Sequence, residues 1–454
     1  TDRDWTVPHF EKMLYDNAEL PRAFLAGYQV TGADRYAEVV RETFSFVERE
    51  MTHPGGGFYS TLDAQSRPPD DPDAAPEEGL FYVWTPEGVH EAVDDETDAD
   101  LFCARYGVDE TGNFEDRTTV LTVAASLDDL ADSFDLAPDA VADRLDTARA
   151  QVFAARQERP RPRRDEKVIA GWNGLQISAL AEGALVLDPD YAAQAADALA
   201  FVRDRLWDET TGRLSRRFVD VPGSRDGDVE GTGYLEDYAF LGRGAFDLYQ
   251  ATGEVEHLAF ALDLARTLVA EFWDESAETL YFTPASGEDL VARPQELTDQ
   301  STPSSTGVAV QLLQSLAHFT DDDEFATVAE RTLATHASRL ASNPLQHASL
   351  ALAADAHETG PLELTVVADA LPGRWRERIG ATYLPTRLLS VRPPGDLDRW
   401  LDALDLDAAP PIWADRDQVD GEPTVYACRS FTCSPPQTDV DAALSWADDL
   451  ADGR

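Results

Sequence analysis

Helical hairpins recur along this chain at a long and nearly constant spacing. Two amphipathic helices joined by a short turn are predicted in each of four segments, residues 17–50, 174–207, 235–273 and 304–340. The turns at Asp188, Gly253 and Asp321 lie 65 and 68 residues apart. Because a single hairpin cannot bury its apolar face alone, neighbouring hairpins must stack. The repeat therefore predicts a barrel built from helical hairpins.

The segments between and after these repeats complete the prediction. Residues 86–106 and 137–157 form an irregular fifth pair of helices, and residues 344–358 begin a sixth. Two strand-like runs, 364–367 and 388–391, flank a helix and predict a small α/β appendage. We therefore expect a mainly α fold, an (α/α)6 barrel of six helical hairpins with a small α/β C-terminal appendage. The predicted domains are the barrel at 1–360, the appendage at 361–434, and a helix within 435–454 that completes the barrel.

The charge of the chain excludes several classes of partner. It carries 86 acidic and 37 basic residues, a formal net charge of −49. Nucleic acid and anionic membranes would be repelled, so neither is expected as a partner. An acidic, lysine-poor surface on a chain that is 43% hydrophobic is typical of adaptation to high salt. With no apolar stretch near ~18 residues and no visible signal peptide, the cytoplasm is the expected location. The start at Thr1 predicts a fragment of a longer protein.

Polar side chains stand at the predicted start of the first helix of each hairpin. Asp16, Asn173, Asp237 and Ser304 occupy these positions, and Asp16 and Asn173 have the spacing of a capping box with Glu19 and Gln176. In a closed ring the inner helices run parallel, so their N-termini meet at one end of the barrel. We call this end the N-terminal rim. The aromatic side chains predicted there are Tyr15, Trp172 and Tyr238.

The N-terminal rim has two interpretations. Hydroxyl-binding polar groups with aromatic neighbours suit a sugar-like, polyhydroxylated ligand. The alternative is that the polar residues only cap their helices, the commonest role of Asp, Asn and Ser at such positions.

Lysine, histidine and a second acidic segment add candidates for the rim. The chain keeps only two lysines, Lys12 and Lys167, both close in sequence to rim segments. A compact ammonium group is not interchangeable with a guanidinium, so both are candidate ligand-binding residues, unless their retention is chance. His9 is a candidate acid/base group or a structural hydrogen-bonding residue. Glu78 is a candidate carboxylate partner for Asp237, with Trp84 beside it, or else part of a solvated loop edge.

Metal and cofactor motifs are not recognisable in the sequence. Cys428 and Cys433 lack the spacing of a zinc site and have no nearby second pair. They are interpreted either as small buried apolar residues or as a redox pair. No phosphate loop or dinucleotide fingerprint is present, so we expect neither a metal nor a cofactor.

Several motifs, taken in order, resemble a known family. They are Pro8-His9-Phe10-Glu11-Lys12-Met13-Leu14-Tyr15-Asp16-Asn17, Gly56-Gly57-Phe58-Tyr59-Ser60, Glu78-Gly79-Leu80-Phe81-Tyr82-Val83-Trp84, Trp172-Asn173-Gly174, Leu235-Glu236-Asp237-Tyr238-Ala239 and Tyr426-Ala427-Cys428-Arg429. The chain resembles the thioredoxin-domain family of spermatogenesis-associated protein 20 and its microbial relatives. The resemblance implies a six-hairpin glycosidase-type barrel, similar to N-acylglucosamine 2-epimerases, that follows a thioredoxin-like domain absent here. Gln65 and Thr306 replace an Asp and an Asn of the family's pattern.

Three functional hypotheses follow. The first is a carbohydrate-active enzyme. Epimerase-like or isomerase-like chemistry would use a histidine pair, His9 and His347, whereas glycosidase-like chemistry would use Asp237 with Asp16 or Glu78, ~6.5–9.5 Å apart for inversion. The second is a non-catalytic barrel that binds a ligand or protein and partners a thioredoxin-like redox domain, with Cys428 and Cys433 as exchange partners. The third is a scaffold without a site.

Overall fold

The chain divides into two compact units. The computed structural model describes residues 2–3, 6–68, 73–224, 227–288, 290–430 and 432–452, without the side chains of 450–452. Unit 1 comprises Thr1–Met13 and Thr61–Asp165, and unit 2 comprises Leu14–Ser60 and Glu166–Arg454. These boundaries differ from the predicted ones at 360 and 434, because segments distant in sequence pack into the same unit.

Sixteen α-helices form over the described residues. In chain order they are α1 (Leu14–Thr31), α2 (Asp34–Met51), α3 (Pro86–Ala92), α4 (Glu96–Tyr106), α5 (Leu127–Phe134), α6 (Pro138–Gln157), α7 (Ala170–Val186), α8 (Tyr191–Leu206), α9 (Leu235–Thr252), α10 (Val255–Phe272), α11 (Ser305–Leu316), α12 (Glu324–Ser342), α13 (Ala348–Thr359), α14 (Gly373–Gly380), α15 (Leu397–Leu404) and α16 (Val440–Asp452). Among them, none is long and apolar enough to cross a membrane.

Short strands connect the helices. They are β1 (Lys12–Met13), β2 (Thr61–Leu62), β3 (Gln65–Ser66), β4 (Glu77–Glu78), β5 (Arg164–Asp165), β6 (Val168–Ile169), β7 (Trp207–Asp208), β8 (Arg213–Val219), β9 (Asp228–Thr232), β10 (Trp273–Asp274), β11 (Thr279–Leu280), β12 (Leu362–Val367), β13 (Arg387–Arg392), β14 (Thr424–Arg429) and β15 (Thr432–Cys433).

The predicted hairpins are present in unit 2. The pairs α1–α2, α7–α8, α9–α10 and α11–α12 each pack together. The first helices of these pairs also pack on one another in the order α1, α7, α9 and α11, and α13 packs against α11. Nearly every residue of α7 and α9 is buried, because each contacts its own hairpin partner and the next inner helix. The predicted class, a mainly α fold of the (α/α)6-barrel type, is confirmed.

Glycines bring α7 and α9 into backbone contact. A Cβ atom on Gly174 would lie 2.4 Å from the carbonyl oxygen of Phe240 and the amide nitrogen of Leu241. A Cβ on Gly244 would lie 2.5 Å from the carbonyl oxygen of Gly174. Any larger residue would overlap backbone atoms, which have little freedom to move. These two positions set the spacing of the inner helices that carry most of the candidate site.

The predicted α/β appendage forms a four-stranded sheet within unit 2. Its strand order is β13-β12-β14-β15, with β12 parallel to β13 and antiparallel to β14. The tail helix α16 packs against β14 and α14, and its apolar face joins the core of this sheet. The sequence predicts that the tail completes a sixth hairpin, whereas α16 packs on the sheet. The apolar side chains of the sheet and of α16 bury one another in a shared core.

Unit 1 contains the predicted irregular pair of helices. Residues 86–106 contain α3 and α4, and the predicted helix at 137–157 corresponds to α6, which begins one residue later. These helices pack around cores that include Trp84, Val89 and Phe102. The strands β1, β2 and β5 form a small antiparallel sheet in the same unit.

Two of the predicted helix starts lie inside helices. Helix α1 begins at Leu14 and α7 at Ala170, so Asp16 and Asn173 stand in or just after the first turn rather than at the cap. The preceding strands β1 and β6 run directly into these helices, which moves each start two to three residues upstream. Ser304 is the N-cap of α11, as predicted, and its side chain accepts a hydrogen bond from the amide of Gly307.

Candidate functional site

The predicted rim residues divide between the two units. Unit 1 contains His9, Lys12, Glu78 and Trp84. Unit 2 contains Tyr15, Asp16, Lys167, Trp172, Asn173, Asp237, Tyr238 and Ser304. Each group is therefore described within its own unit.

Asp237 is fully buried at the start of α9. Its carboxylate accepts hydrogen bonds from the amides of Tyr234 at 2.9 Å and Gly171 at 3.1 Å, and from Arg216 Nη1 at 2.7 Å. Burial raises the pKa of Asp237 to about 6, with a further rise from the charge of Glu236, while Arg216 and the two amides act in the opposite direction. The side chain therefore joins two helix starts to strand β8, and solvent does not reach it.

A cluster of charged groups extends from Asp237 toward solvent. Arg216 Nη2 lies 2.7 Å from Glu236 Oε1, and the guanidinium stands 5.0 Å from the centre of the Tyr234 ring. Burial raises the pKa of Glu296, and the negative charge of Glu236 raises it further. We call Arg216, Glu236, Asp237 and Glu296 the carboxylate cluster. Carboxyls with raised pKa values beside a cation are candidates for acid/base chemistry.

The sequence did not identify two members of this cluster. Arg216 belongs to the strand β8, and Glu296 to the loop before α11. Both lie outside the recognisable helix starts. The acidic pair Glu236-Asp237, at the start of an almost wholly buried helix, was the available signal.

Three further rim residues have structural partners. The side chain of Asn173 bonds to both the amide and the carbonyl of Phe58, at 2.7 and 3.0 Å. Ser304 Oγ donates to the carbonyl of Glu296 at 2.8 Å. The hydroxyl of buried Tyr238 accepts from the amide of Leu214 at 2.8 Å. These contacts agree with the capping and packing interpretation of the residues.

The remaining rim residues of unit 2 are more accessible. Tyr15 and Trp172 meet edge to face, with ring centroids 4.9 Å apart, and both are partly exposed. Asp16 is exposed in the first turn of α1, and Lys167 is half-buried just before β6. Ligand binding by Tyr15 and Trp172 stays a prediction.

His9 lies in an exposed acidic group of unit 1. Its Nε2 is 3.1 Å from Glu11 Oε2, and its Nδ1 is 3.5 Å from Glu78 Oε1. The His9 side chain is 60% exposed, and Glu78 is 48% exposed. Glu78 therefore accompanies His9 within this unit, and the pairing of Glu78 with Asp237 stays a prediction.

Lys12 occupies a partly buried aromatic environment in unit 1. Its Nζ donates to the carbonyl of Phe10 at 2.7 Å and stands 4.5 Å from the centre of the Tyr82 ring. Burial, assisted by the positive charge of Arg156, lowers the pKa of Lys12 to about 8. Trp84 is buried, and the guanidinium carbon of Arg159 lies 3.9 Å from the centre of its ring.

One concave feature of unit 2 was not predicted. It is a cavity of about 530 Å³ bordered by α1, α7, α9, α11, α12, α13 and the loop at 383–388. The residues that α1, α7, α9 and α11 contribute lie mainly in the C-terminal halves of these helices, whereas the N-terminal rim was predicted at their starts. We call this feature the inner cavity.

Opposite charges alternate along the wall of the inner cavity. Arg22 Nη1 lies 3.2 Å from Glu19 Oε1, and Arg243 Nε lies 3.5 Å from Asp247 Oδ2. Arg243 also donates to Gln311 Oε1 at 3.0 Å. Charged residues in the middle of the otherwise apolar helix α9 were the available signal for this wall, since Lys, Arg, Asp and Glu are seldom buried without a partner.

Three buried polar atoms on residues lining this cavity have no hydrogen-bond partner. They are Arg22 Nε, Gln314 Oε1 and Arg387 Nε, which have no partner among the residues that the structure describes. A buried donor or acceptor without a partner is costly, and each of these atoms has almost no accessible surface, so a ligand reaches it only if the surrounding side chains move.

His53, which was not selected from the sequence, lines a second, smaller cavity in unit 2. His53 Nδ1 accepts from the amide of Gly55 at 2.7 Å, so its Nε2 donates to Asp220 at 2.8 Å. The cavity beside it has a volume of about 320 Å³. Both ring nitrogens are engaged, which favours a structural role for His53.

The two late cysteines are joined in a disulfide. Cys428 is buried in β14 and Cys433 is exposed in β15. The disulfide does not decide whether the pair has a redox role, which stays a prediction. Across the described parts of both units, no group of three His, Cys, Asp or Glu is arranged to hold a metal ion.

Sequence comparison finds relatives over almost the whole chain. Spermatogenesis-associated protein 20 of Homo sapiens is 32% identical over 469 residues, which covers 97% of this chain and 58% of the relative. Over this span the chain is similar to spermatogenesis-associated protein 20. The Mus musculus protein of the same name is 31% identical with the same coverage. The chain thus spans less than two thirds of the length of these relatives. No family model matches the chain.

Solved structures are similar at a lower level. A D-mannose isomerase is 10% identical with a TM-score of 0.41, over 77% of this chain and 61% of that one. The cellobiose 2-epimerase of Spirochaeta thermophila is 11% identical with a TM-score of 0.41, over 74% of this chain and 62% of that one. Similarity at this level does not bear on the site or the reaction.

Proposed function

We propose that unit 2 binds a sugar-like, polyhydroxylated small molecule in the inner cavity. The observation that carries the proposal is the cavity of about 530 Å³ whose lining residues include three buried polar atoms without partners. Small-molecule sites are typically concave spaces of ~300–1,000 Å³ with a few fixed polar groups. The inner cavity agrees with that description in size and in lining.

The unsatisfied atoms indicate the kind of ligand group. Arg22 Nε and Arg387 Nε are donors, and Gln314 Oε1 is an acceptor. A hydroxyl group both donates and accepts, so a molecule rich in hydroxyls suits a lining that offers both donors and acceptors. The amide nitrogen of Gln314 donates to the carbonyl of Ala353 at 3.1 Å, which fixes the direction of the acceptor oxygen.

The charges of the wall favour a neutral ligand. Three carboxylates stabilise the charged guanidinium groups of Arg22 and Arg243. They belong to Glu19, Glu182 and Asp247. A strongly charged ligand would disturb these ion pairs. Leaving a buried charge without its partner costs free energy, because the charge has lost its hydration. Phe246, Leu312 and Leu384 supply apolar surface, which suits the nonpolar faces of a sugar ring.

Acid/base conversion of a sugar at the carboxylate cluster is the second candidate. The raised pKa values of Asp237 and Glu296 favour it. Because Asp237 is fully buried, we assign it the role of positioning Arg216. The acid/base roles are assigned to Glu236 and Glu296. Tyr15 and Trp172 would contact the ligand. A protein that binds its ligand without converting it, beside a thioredoxin-like domain, is the alternative.

Isothermal titration with neutral mono- and disaccharides and with uronic acids tests the proposal. The full chain is titrated in concentrated KCl, which screens its net charge of −49. We expect heat of binding with a neutral sugar. Replacing Gln314→Leu removes one hydrogen bond worth about 1.4 kcal/mol, so Kd should rise about tenfold. The matched control is Gln65→Leu, at an exposed glutamine of unit 1.

The other outcomes separate the candidates. Binding that survives Gln314→Leu and is lost in Glu236→Gln would transfer the site to the carboxylate cluster. Absence of binding to every sugar would reject both candidates. If a sugar binds, NMR of the incubated mixture distinguishes an enzyme from a binding protein. Conversion by the wild type that Glu236→Gln abolishes without loss of binding supports acid/base catalysis, and no conversion supports the binding protein.

A further inference from the structure

The disulfide of unit 2 has one accessible and one buried sulfur-bearing residue. Cys428 and Cys433 are directly paired across the antiparallel strands β14 and β15. Cys428 is 4% exposed, whereas Cys433 is exposed on β15, the edge strand of the sheet. An incoming thiolate can therefore reach Cys433 from solvent, and Cys428 would remain within the sheet.

A guanidinium group stands against both sulfur atoms. Arg416 Nη2 lies 3.2 Å from Cys428 Sγ and 3.0 Å from Cys433 Sγ. The guanidinium is held by a hydrogen bond from Nη1 to the carbonyl of Ala414 at 3.2 Å, and by the Tyr426 ring, whose centre is 5.2 Å away. Its position is therefore determined by the surrounding structure.

The cation matters most when the disulfide opens. A neutral disulfide accepts only weak hydrogen bonds, whereas a thiolate is stabilised by an adjacent positive charge. Thiol–disulfide exchange is faster when the leaving sulfur is the more stable thiolate. A crosslink with a purely structural role gains little from a guanidinium that contacts both of its sulfurs.

We propose that Cys428–Cys433 is a thiol–disulfide exchange site for a dithiol reductant, with Arg416 as the positioning residue for the leaving thiolate. One thiolate of the reductant attacks Cys433 Sγ and forms a mixed disulfide, while the bond to Cys428 breaks and Cys428 Sγ leaves as a thiolate beside Arg416. The second thiolate of the reductant then attacks the first sulfur of the reductant in the mixed disulfide, and Cys433 Sγ leaves as a thiolate. The chain gains two electrons and, after protonation, two protons. The reductant becomes a cyclic or intramolecular disulfide.

Redox titration of the full chain with reduced and oxidised dithiothreitol tests the proposal. A Cys103→Ser background removes the remaining cysteine, and trapping with iodoacetamide followed by mass spectrometry counts the free thiols. Arg416→Gln should shift the equilibrium toward the disulfide and slow reduction, each about tenfold, the effect of roughly one unit of thiol pKa. Arg416→Lys should recover part of this loss because it restores the charge. The matched control is Arg399→Gln, at an arginine whose side chain is 70% exposed.

Single-cysteine variants test which sulfur is attacked. In the same background, Cys428→Ser should form a mixed disulfide with oxidised glutathione at Cys433, whereas Cys433→Ser should form little at buried Cys428. Equal labelling of the two variants would overturn the assignment of the attacked sulfur. Two results would overturn the site itself: cysteines that stay free thiols under oxidised dithiothreitol, or redox titrations that are the same for Arg416→Gln and wild type. Neither result depends on whether the inner cavity binds a sugar.

Discussion

The carboxylate of Asp237, on α9, accepts a hydrogen bond from the amide of Gly171 at the start of α7, at 3.1 Å. A side chain of one inner helix thereby satisfies a donor that the next inner helix leaves unpaired at its N-terminus. The same carboxylate binds Arg216, which also binds Glu236. Asp237 therefore links the packing of the inner helices to the geometry of the carboxylate cluster.

The pH dependence of stability tests the environment of Asp237. Its pKa is about 6 in the folded chain and about 3.8 in the unfolded chain. Between these values the folded state binds a proton that the unfolded state does not. The stability contributed by this group therefore falls as pH rises from about 4 to about 6, by up to about 1.4 kcal/mol per pH unit, and is constant above that range.

Urea unfolding of the wild type and of Asp237→Asn at several pH values measures this contribution. The difference between the two free energies of unfolding isolates Asp237 from the other carboxyls. We expect the wild type to lose stability relative to Asp237→Asn as pH rises through this window. A difference that grows in favour of the wild type would mean that the ion pair with Arg216 outweighs burial and lowers the pKa.

Substitution of Gly174 tests the close packing of α7 on α9. In Gly174→Ala the new Cβ would lie 2.4 Å from backbone atoms of Phe240 and Leu241, so the helices must separate. We expect a loss of about 1–3 kcal/mol in the free energy of unfolding, measured in urea, as in other overpacked cores. The matched control is Gly373→Ala, at the first residue of α14, where nothing lies within 4 Å of the added Cβ. A loss of the same size in both variants would contradict the steric argument.

The pH dependence of lysine acylation tests the environment of Lys12. The pKa of Lys12 is lowered from the usual 10.5 to about 8. Its amine should therefore react with acetic anhydride with a midpoint near pH 8. Because the chain has only two lysines, peptide mass spectrometry separates Lys12 from Lys167 directly. Arg156→Gln removes the charge that assists burial and should raise the midpoint. The expectation fails if the Lys12 midpoint lies near 10.5, or if Arg156→Gln lowers it.

Much of the fold could be predicted from the sequence. Apolar residues at helical spacing and Gly or Asp turns locate the hairpins, because a helix that packs on one side must keep an apolar face. Ser304 was also predictable as a cap, since its hydrogen bond to Gly307 is made within three residues. The tail helix differs because its partner is a sheet formed by strands that lie 7 to 78 residues before its first residue, Val440.

The candidate site was only partly predictable. The sequence located Asp237 at the start of α9, but its partner Arg216 comes from β8, and no local pattern connects the two. The inner cavity was missed for a similar reason. Its wall combines single residues from several helices. Arg243 differs from its apolar neighbours in α9, but Arg22 and Gln314 alone resemble ordinary polar residues of a helix.

Periodicity along the chain thus determined the hairpins, their order and the polar residues at their starts, because these features depend on neighbours within a few turns of helix. Tertiary structure alone decided which polar side chains are buried, which face the inner cavity and which cation meets the Cys428–Cys433 disulfide. Burial and long-range pairing depend on helices and strands that are separated in sequence and meet only when the whole unit packs.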